Sequence, residues 1–370
     1  MKILLAPDKF KGALTALEAC AAMEAGIREV LPEAEILSFP MADGGDGFSE
    51  VMGHYLSCDA IACATTDSLG RPIRATYQLQ VAQRTAIIGT ASAAGLALIP
   101  VADRNAMQAN TYGTGLMIAD AIHRGATTIL LGLGGSATTD MGTGILQALG
   151  FEFLDENGKK LAGSGEMLTR VRAIKKPDEL PPIRFVLACD VTNPLFGHTG
   201  AAFVYAPQKG ADEAMVKTLD EGLRHCNQLF SACSGRDPSQ VPGSGAAGGI
   251  GAGLSHFYDV EFRSGFDMVL QASGLLRQCA GADLLLTGEG KFDAQSLEGK
   301  ATGQLIELAN EFDLNCAVFC GMMEIDDLPG KAMIFSINDA GITTDGNIKM
   351  AWEHLKGMVA KGFPEIMFHP

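Results

Sequence analysis

Gly132-Leu133-Gly134-Gly135-Ser136-Ala137-Thr138-Thr139-Asp140-Met141-Gly142 follows a short apolar run, Thr127 to Leu131, and precedes Gly144 to Leu149. The run reads as a buried strand and the segment after the loop as the start of a helix. A strand, a glycine-rich loop and a helix together make an anion site: glycines let backbone N–H groups converge, and the helix N-terminus adds positive potential. Ser136, Thr138 and Thr139 add hydroxyl donors, and Asp140 is a candidate metal ligand. A single glycine would read as a tight turn that needs φ > 0. Gly134 and Gly135 beside a Ser/Thr/Asp cluster favour phosphate binding over that reading.

Towards the N-terminus the same pattern recurs. Lys2 to Ala6 is an apolar strand ended by Pro7, and Asp8-Lys9-Phe10-Lys11-Gly12 places charges at its C-terminal end, where open α/β sheets bind ligands. Thr15-Ala16-Leu17-Glu18 is a capping box and opens a helix whose apolar face is Leu17, Cys20, Ile27, Val30 and Leu31, with Pro32 ending it. Ile36 to Phe39 predicts a second strand, then Met41-Ala42-Asp43-Gly44-Gly45-Asp46-Gly47 and a helix to about Leu56. Asp43 and Asp46 fit a turn and an N-cap. Two acids around paired glycines at a strand end tilt the reading towards a metal or substrate role.

At Asp67 the pattern changes. Ser68-Leu69-Gly70-Arg71-Pro72 is a turn, and Ile73–Gln80 and Thr85–Gly89 are joined too closely for a crossover helix, so an antiparallel hairpin is expected. Helical patterns follow at Ala91–Leu98 and Gly113–His123, while Asp155 to Pro182 is polar with weak periodicity. Arg184 to Ala188 predicts a strand ending in Cys189-Asp190-Val191-Thr192-Asn193-Pro194, where Asp190 and Asn193 read either as an Asx turn before Pro194 or as functional residues. Pro207-Gln208-Lys209-Gly210-Ala211 brings another cation to a turn, and Asp212 caps an amphipathic helix. Pro242 to Gly253 is a second glycine-rich loop that runs straight into an apolar segment, which favours close approach to a ligand or partner element over a linker. From Asp283 the alternation returns: strand Leu284–Leu286, loop Thr287-Gly288-Glu289-Gly290-Lys291-Phe292-Asp293, helix Ala301–Phe312, strands Ala317–Phe319 and Ala332–Ser336, and helix Ile348–Val359.

The two ends of the chain therefore share one style and the middle another. The expected fold is α/β: a discontinuous, doubly wound (flavodoxin- or Rossmann-like) domain from residues 1–66 and 281–370, with a mixed α/β domain, 67–280, inserted and carrying the glycine-rich loops. The active site is expected in the cleft between the domains.

The 370 residues fit about two or three domains, and 47% hydrophobic residues exclude a disordered chain. A net charge of −15 argues against nucleic acid or an anionic membrane as the main partner. Nine cysteines, an odd number without C-x-x-C, lie in apolar runs as buried thiols of a reducing compartment would. Pro7 and Asp8 cut short any signal-peptide core, and no apolar run reaches about 18 residues, so a soluble cytoplasmic protein is expected. The seven histidines show no zinc spacing, and Gly243-Ser244-Gly245 lacks the serine-hydrolase elbow spacing. What remains are strand-end loops of Gly, Asp, Glu, Ser/Thr and Lys, the groups that phosphoryl transfer uses. G-x-x-x-x-G-K-[ST] is missing, so this is not an ordinary P-loop enzyme.

Seven motifs in order then resemble the class I glycerate kinases. They are Ala6-Pro7-Asp8-Lys9-Phe10-Lys11-Gly12, Ala42-Asp43-Gly44-Gly45-Asp46-Gly47, Gly132 to Thr138, Asp190-Val191-Thr192-Asn193-Pro194-Leu195, Pro207 to Ala211, Gly245-Ala246-Ala247-Gly248-Gly249 and Thr287 to Asp293. The resemblance implies ATP-dependent phosphorylation of D-glycerate with Mg²⁺, 2-phosphoglycerate as product, and a two-domain fold with an insertion. It departs from the family pattern at Lys291, where arginine is usual, and at Thr302 after Gly299-Lys300-Ala301, where a proline is expected.

The roles expected with it are these. Backbone amides of Gly134, Gly135 and Ser136, with Thr138, Glu289 and Lys291, bind the nucleotide. Lys9 and Lys11 neutralise the transferred phosphate or the glycerate carboxylate. Asp190 is the first choice for general base and Asp43 the second, the other holding Mg²⁺ with Asp293. Asp8, Arg71, Asn193 and Lys209 contact substrate, a surface turn cation being the commoner reading of Arg71. The chain is expected as a monomer or homodimer. Two competing readings are an NAD(P)-dependent oxidoreductase, from Gly132-x-Gly134-x-x-Ala137 with Glu152 about 20 residues on, and a non-catalytic sugar-acid-binding protein.

Overall fold

The computed structural model describes residues 1–297, 300–325, 332–336 and 350–368. Gly299, Ile348 and Lys349, which belong to segments read above, lie outside the described residues. The chain divides into two units, one of Met1–Asp43 with Phe266–Pro370 and the other of Gly44–Gly265.

In the first unit β1 (Lys2–Leu5) lies between β2 (Glu35–Ser38) and β12 (Leu284–Phe292), and β13 (Asn315–Met323) and β14 (Ala332–Ser336) follow beyond β12. All pairings are parallel. The chain leaves β1 on one side for β2 and returns on the other at β12, so the switch point of this doubly wound sheet lies between β1 and β12. Ile3, Leu4, Leu5, Leu284, Leu285 and Leu286 are all buried, as continuous apolar runs in interior parallel strands should be. The capping box forms as expected: the Glu18 N–H donates to Thr15 Oγ1 at 3.2 Å and the Thr15 N–H to Glu18 Oε2 at 2.8 Å. That helix, Ala16–Val30, packs on helix Ala351–Phe368 through Gly26, where a Cβ would come within 2.5 Å of the Lys356 carbonyl oxygen.

Thr287–Asp293, expected as a loop, is mostly strand: β12 runs on to Phe292 because β13 continues beside it as far as Met323. The glycines of this stretch serve that close pairing. A Cβ on Gly288 would stand 2.0 Å from the Phe319 carbonyl oxygen. Gly288→Ala is therefore expected to destabilise the protein by about 1–3 kcal/mol through overpacking, read as a lower urea midpoint at unchanged slope.

The second unit holds β3 (Asp59–Thr66), β4 (Pro72–Gln80), β5 (Thr85–Gly89), β6 (Thr128–Gly132), β10 (Arg184–Ala188) and β11 (Asp259–Arg263) in one sheet, ordered β11-β10-β6-β5-β4-β3. β5, β6, β10 and β11 are parallel, and β4 runs antiparallel to both β5 and β3. The expected β4–β5 hairpin is present. β3 pairs with β4 along its whole length, from Asp59–Leu79 to Thr66–Pro72, so residues 44–66 belong to this unit. The division thus falls at Asp43/Gly44 and Gly265/Phe266 rather than at 66/67 and 280/281.

Residues 155–182, read as irregular, contribute to a small antiparallel sheet of β7 (Glu152–Leu154), β8 (Lys160–Leu161) and β9 (Ala173–Lys175), strands too short to show a period. The helix expected over Ala91–Leu98 breaks at Gly95, which is extended and bridged to Ser136. The long helix Glu213–Ser234 starts as read, with Asp212 Oδ1 accepting from the Met215 N–H at 2.8 Å.

Candidate functional site

At the switch point of the first unit, Asp8, Lys9 and Lys11 follow β1 while Glu289 and Lys291 lie on the overhanging end of β12. The Asp8 N–H donates to the Gly288 carbonyl at 2.9 Å and Asp8 Oδ1 accepts from the Lys9 N–H at 2.7 Å. Gly290 lets the two segments touch, since a Cβ there would stand 2.9 Å from the Lys11 nitrogen. Burial raises the Asp8 carboxyl well above the usual carboxylate range, and the charges of Asp43 and Glu289 add to that, against the Lys9 N–H bond and charge. Glu289, 8% exposed, has no hydrogen-bond partner for Oε1 among the described residues, and burial pushes its carboxyl up, with Ser296 and Thr302 beside it acting in the opposite sense. Lys11 is exposed. Lys291, expected at the nucleotide, is exposed and paired with Asp293 at 3.3 Å and Glu324 at 3.0 Å. Asp293 also faces Lys300 at 3.9 Å, so its carboxylate is shared between two ammonium groups.

In the second unit the C-terminal ends of the parallel strands carry the loops. After β6, the Leu133 N–H donates to Ala188, the Leu96 N–H to Gly135 and the Ala137 N–H to Ala94. Gly134 is needed because a Cβ would lie 2.5 Å from Gly45 Cα, and its N–H donates to the Gly44 carbonyl at 3.2 Å. The Gly134 amide, expected to cradle phosphate, is therefore spent inside the protein, whereas those of Gly135 and Ser136 have no acceptor among the described residues. Gly135 takes φ +73°, the left-handed conformation that favours glycine. Thr138 and Thr139 are buried, and neither hydroxyl has a partner among the described residues.

The second glycine-rich loop backs the first. A Cβ on Gly248 would stand 2.2 Å from the Thr138 carbonyl oxygen, and the Met141 N–H donates to Gly248 at 2.9 Å. Of the two meanings given to that loop, close approach to a partner element is the one observed. Lys209 lies beside it, 3% exposed, with Nζ donating to the Thr138 carbonyl at 2.6 Å and to Ser136 Oγ at 3.2 Å. Burial lowers its ammonium to about 7, against the charge of Asp140.

Asp140 is not placed as a metal ligand. Its Oδ2 accepts from the Thr111 N–H and Oγ1, both at 2.8 Å, and from the Gly144 N–H at 3.2 Å, while Oδ1 accepts from the Gly142 N–H at 3.2 Å. It ties the loop to the segment before helix Tyr112–His123, a role no local pattern announced. Asp190, after β10, accepts the Gly265 N–H on Oδ1 at 3.0 Å. Asn193 is internally engaged: Tyr205 OH donates to its Oδ1 at 2.6 Å and its Nδ2 donates to the Thr199 carbonyl at 2.8 Å. Arg71 is held by Asp67 at 2.5 Å and Asp103 at 3.4 Å, the surface turn cation of its commoner reading. Glu152 lies on β7 in the separate small sheet, paired with Lys160, not at the strand end where a ribose-binding acid belongs.

The donors suit the groups a kinase needs. Loop amides and a buried, unpartnered hydroxyl fit phosphate oxygens. Among the described residues no three His, Cys, Asp or Glu side chains are grouped to hold a metal ion. Mg²⁺ in kinase sites is held by one or two carboxylates with phosphates and water, and the Asp190 side chain at the end of β10 is a carboxylate of that kind. Among the described residues no helix is long and apolar enough to cross a membrane.

Comparison with known proteins agrees over nearly the whole chain. The sequence profile of the glycerate kinase family matches residues 3–363. The chain is 39% identical over 363 residues to the glycerate 2-kinase of Escherichia coli K12, covering 96% of this chain and 95% of that protein. It is 39% identical over 324 residues to the glycerate kinase of Halalkalibacterium halodurans, covering 87% and 85% respectively. A crystal structure of a protein assigned as glycerate kinase 2 from Salmonella typhimurium LT2 superposes with a TM-score of 0.82 at 34% identity, over 99% of this chain and 98% of that one. Together these show that the chain belongs to the glycerate kinase family.

Proposed function

We propose that the protein transfers the γ-phosphoryl group of ATP to the 2-hydroxyl of D-glycerate. The observation that carries this is the family match over residues 3–363, supported by a strained acidic cluster and a donor-rich glycine loop at strand ends. The amides of Gly135 and Ser136 and the hydroxyls of Ser136 and Thr138 receive the phosphates, neutralising their oxygens without side-chain bulk. Asp190 would hold Mg²⁺, which when bound would supply charge neutralisation to the phosphate oxygens.

The acceptor is assigned to the first unit. Lys9 and Lys11 neutralise the glycerate carboxylate or the transferred phosphate, and the buried Glu289 Oε1 accepts a hydroxyl proton in a hydrogen bond. Asp8 is assigned as the proton acceptor in place of Asp190. A carboxyl raised above its usual range binds a proton more readily near neutral pH.

Phosphorus NMR of the protein with MgATP and D-glycerate tests the reading. A 2-phosphoglycerate resonance is the expected result. A 3-phosphoglycerate resonance would keep the kinase and overturn the choice of hydroxyl, and no transfer to glycerate would overturn the substrate.

A further inference from the structure

We propose that Lys209 is a positioning residue of the phosphate loop. Its buried ammonium fixes the Ser136–Thr138 segment and sets a positive charge beneath it for the nucleotide's phosphates. This rests on the reading of that loop as the ATP site.

Three observations carry it. First, the turn is built to deliver the side chain: Pro207–Lys209 is one turn of 3₁₀ helix closed by Gly210 at φ +94°, where a Cβ would stand 2.5 Å from the Arg104 carbonyl oxygen. Second, the ammonium is buried without a carboxylate on it. Its bonds go to the Thr138 carbonyl and Ser136 Oγ, and its third N–H has no acceptor among the described residues. The neighbouring Asp140 has both oxygens taken by Thr111, Gly142 and Gly144. A buried charge so placed costs stability, and an apolar side chain of the same length would pack there without that cost. Third, in the loop that Lys209 bonds, the Thr138 and Thr139 hydroxyls and the Gly135 and Ser136 amides, each able to donate, have no partner among the described residues. An anion is the ligand class that such donors bind.

A plain strut for the loop would give a different outcome on replacement. Lys209→Met keeps length and loses charge, and Lys209→Gln keeps donors and loses charge. Calorimetric titration with MgATP, thermal unfolding and steady-state kinetics are measured on wild type and both variants. In both variants the Kd for MgATP is expected to rise about 10- to 100-fold, the loss of a charged hydrogen bond. The KM for D-glycerate should stay within about three-fold, and the Lys209→Met melting temperature should hold or rise.

A MgATP Kd within about three-fold of wild type in either folded variant would overturn the proposal. So would equal weakening of MgATP and glycerate together with a lower melting temperature in both, which marks a strut. If the wild type binds MgATP but does not phosphorylate glycerate, the substrate assignment fails while the Kd comparison still decides the role of Lys209. If the wild type binds no MgATP, the loop reading and this proposal fall together.

Discussion

Asp8→Asn is expected to lower kcat for glycerate phosphorylation by about 10²- to 10⁴-fold, the range for loss of a positioned proton acceptor. Asparagine has the size of the carboxyl and can keep the Lys9 N–H bond through its amide oxygen, so the loop between β1 and the first helix should hold its shape. What it loses is the capacity to take a proton. The stability effect has the opposite sign. The folded state raises the Asp8 pKa, so its favourable contribution is present below the unfolded value and is lost as pH rises through the folded one. The neutral amide has no such loss. The melting temperature of the variant should therefore match or exceed that of wild type, by a margin that opens as pH rises through the folded pKa. Kinetics and thermal unfolding at about pH 5 and pH 8 check both halves. Activity within a few-fold of wild type would return the proton to Asp190, with Asp190→Asn as the next variant.

The second large effect is structural. Asp140→Ala is expected to cost about 3 kcal/mol or more, since the Thr111, Gly142 and Gly144 N–H groups would be left without acceptors in the interior, at about 1–3 kcal/mol each. That is a large part of the whole stability of a typical domain, about 5–15 kcal/mol. Asp140→Asn keeps one acceptor oxygen and should lose less. Urea unfolding of both variants gives the measurement. A fully stable Asp140→Ala protein with altered Mg²⁺ dependence would instead restore the metal role first read from the sequence.

Both cases show how differently acids at loops of similar composition behave. Asp8, Asp43, Asp140 and Asp190 all sit in loops rich in glycine or turn-forming residues. Local sequence placed each near a strand end, because the β-α alternation, the capping box at Thr15 and the cap at Asp212 are short-range signals. It could not tell a ligand from a brace. Asp140 is committed by Thr111, 29 residues away in sequence, while Asp190 receives the Gly265 N–H across 75 residues. Arg71 and Asn193 were candidates by chemistry and are engaged by neighbours that folding brings up, Asp103 for the one and Tyr205 for the other.

The sequence by itself determined the class of the fold, the position of most parallel strands, the two glycine-rich loops and, through seven motifs in order, the family. These follow from hydrophobic period, turn chemistry and residue type, which neighbours along the chain express. Tertiary structure alone decided where the units divide, because β3 joins the second unit by pairing with β4, a partner that its own pattern does not name. It also decided which donors stay unmatched. The Gly134 amide is spent on Gly44, the Gly135 amide is not, and Lys209 is buried against the loop from more than 70 residues away. Hydrogen-bond saturation and burial are properties of the packed chain, and they separate the groups that hold the protein together from those left to hold a ligand.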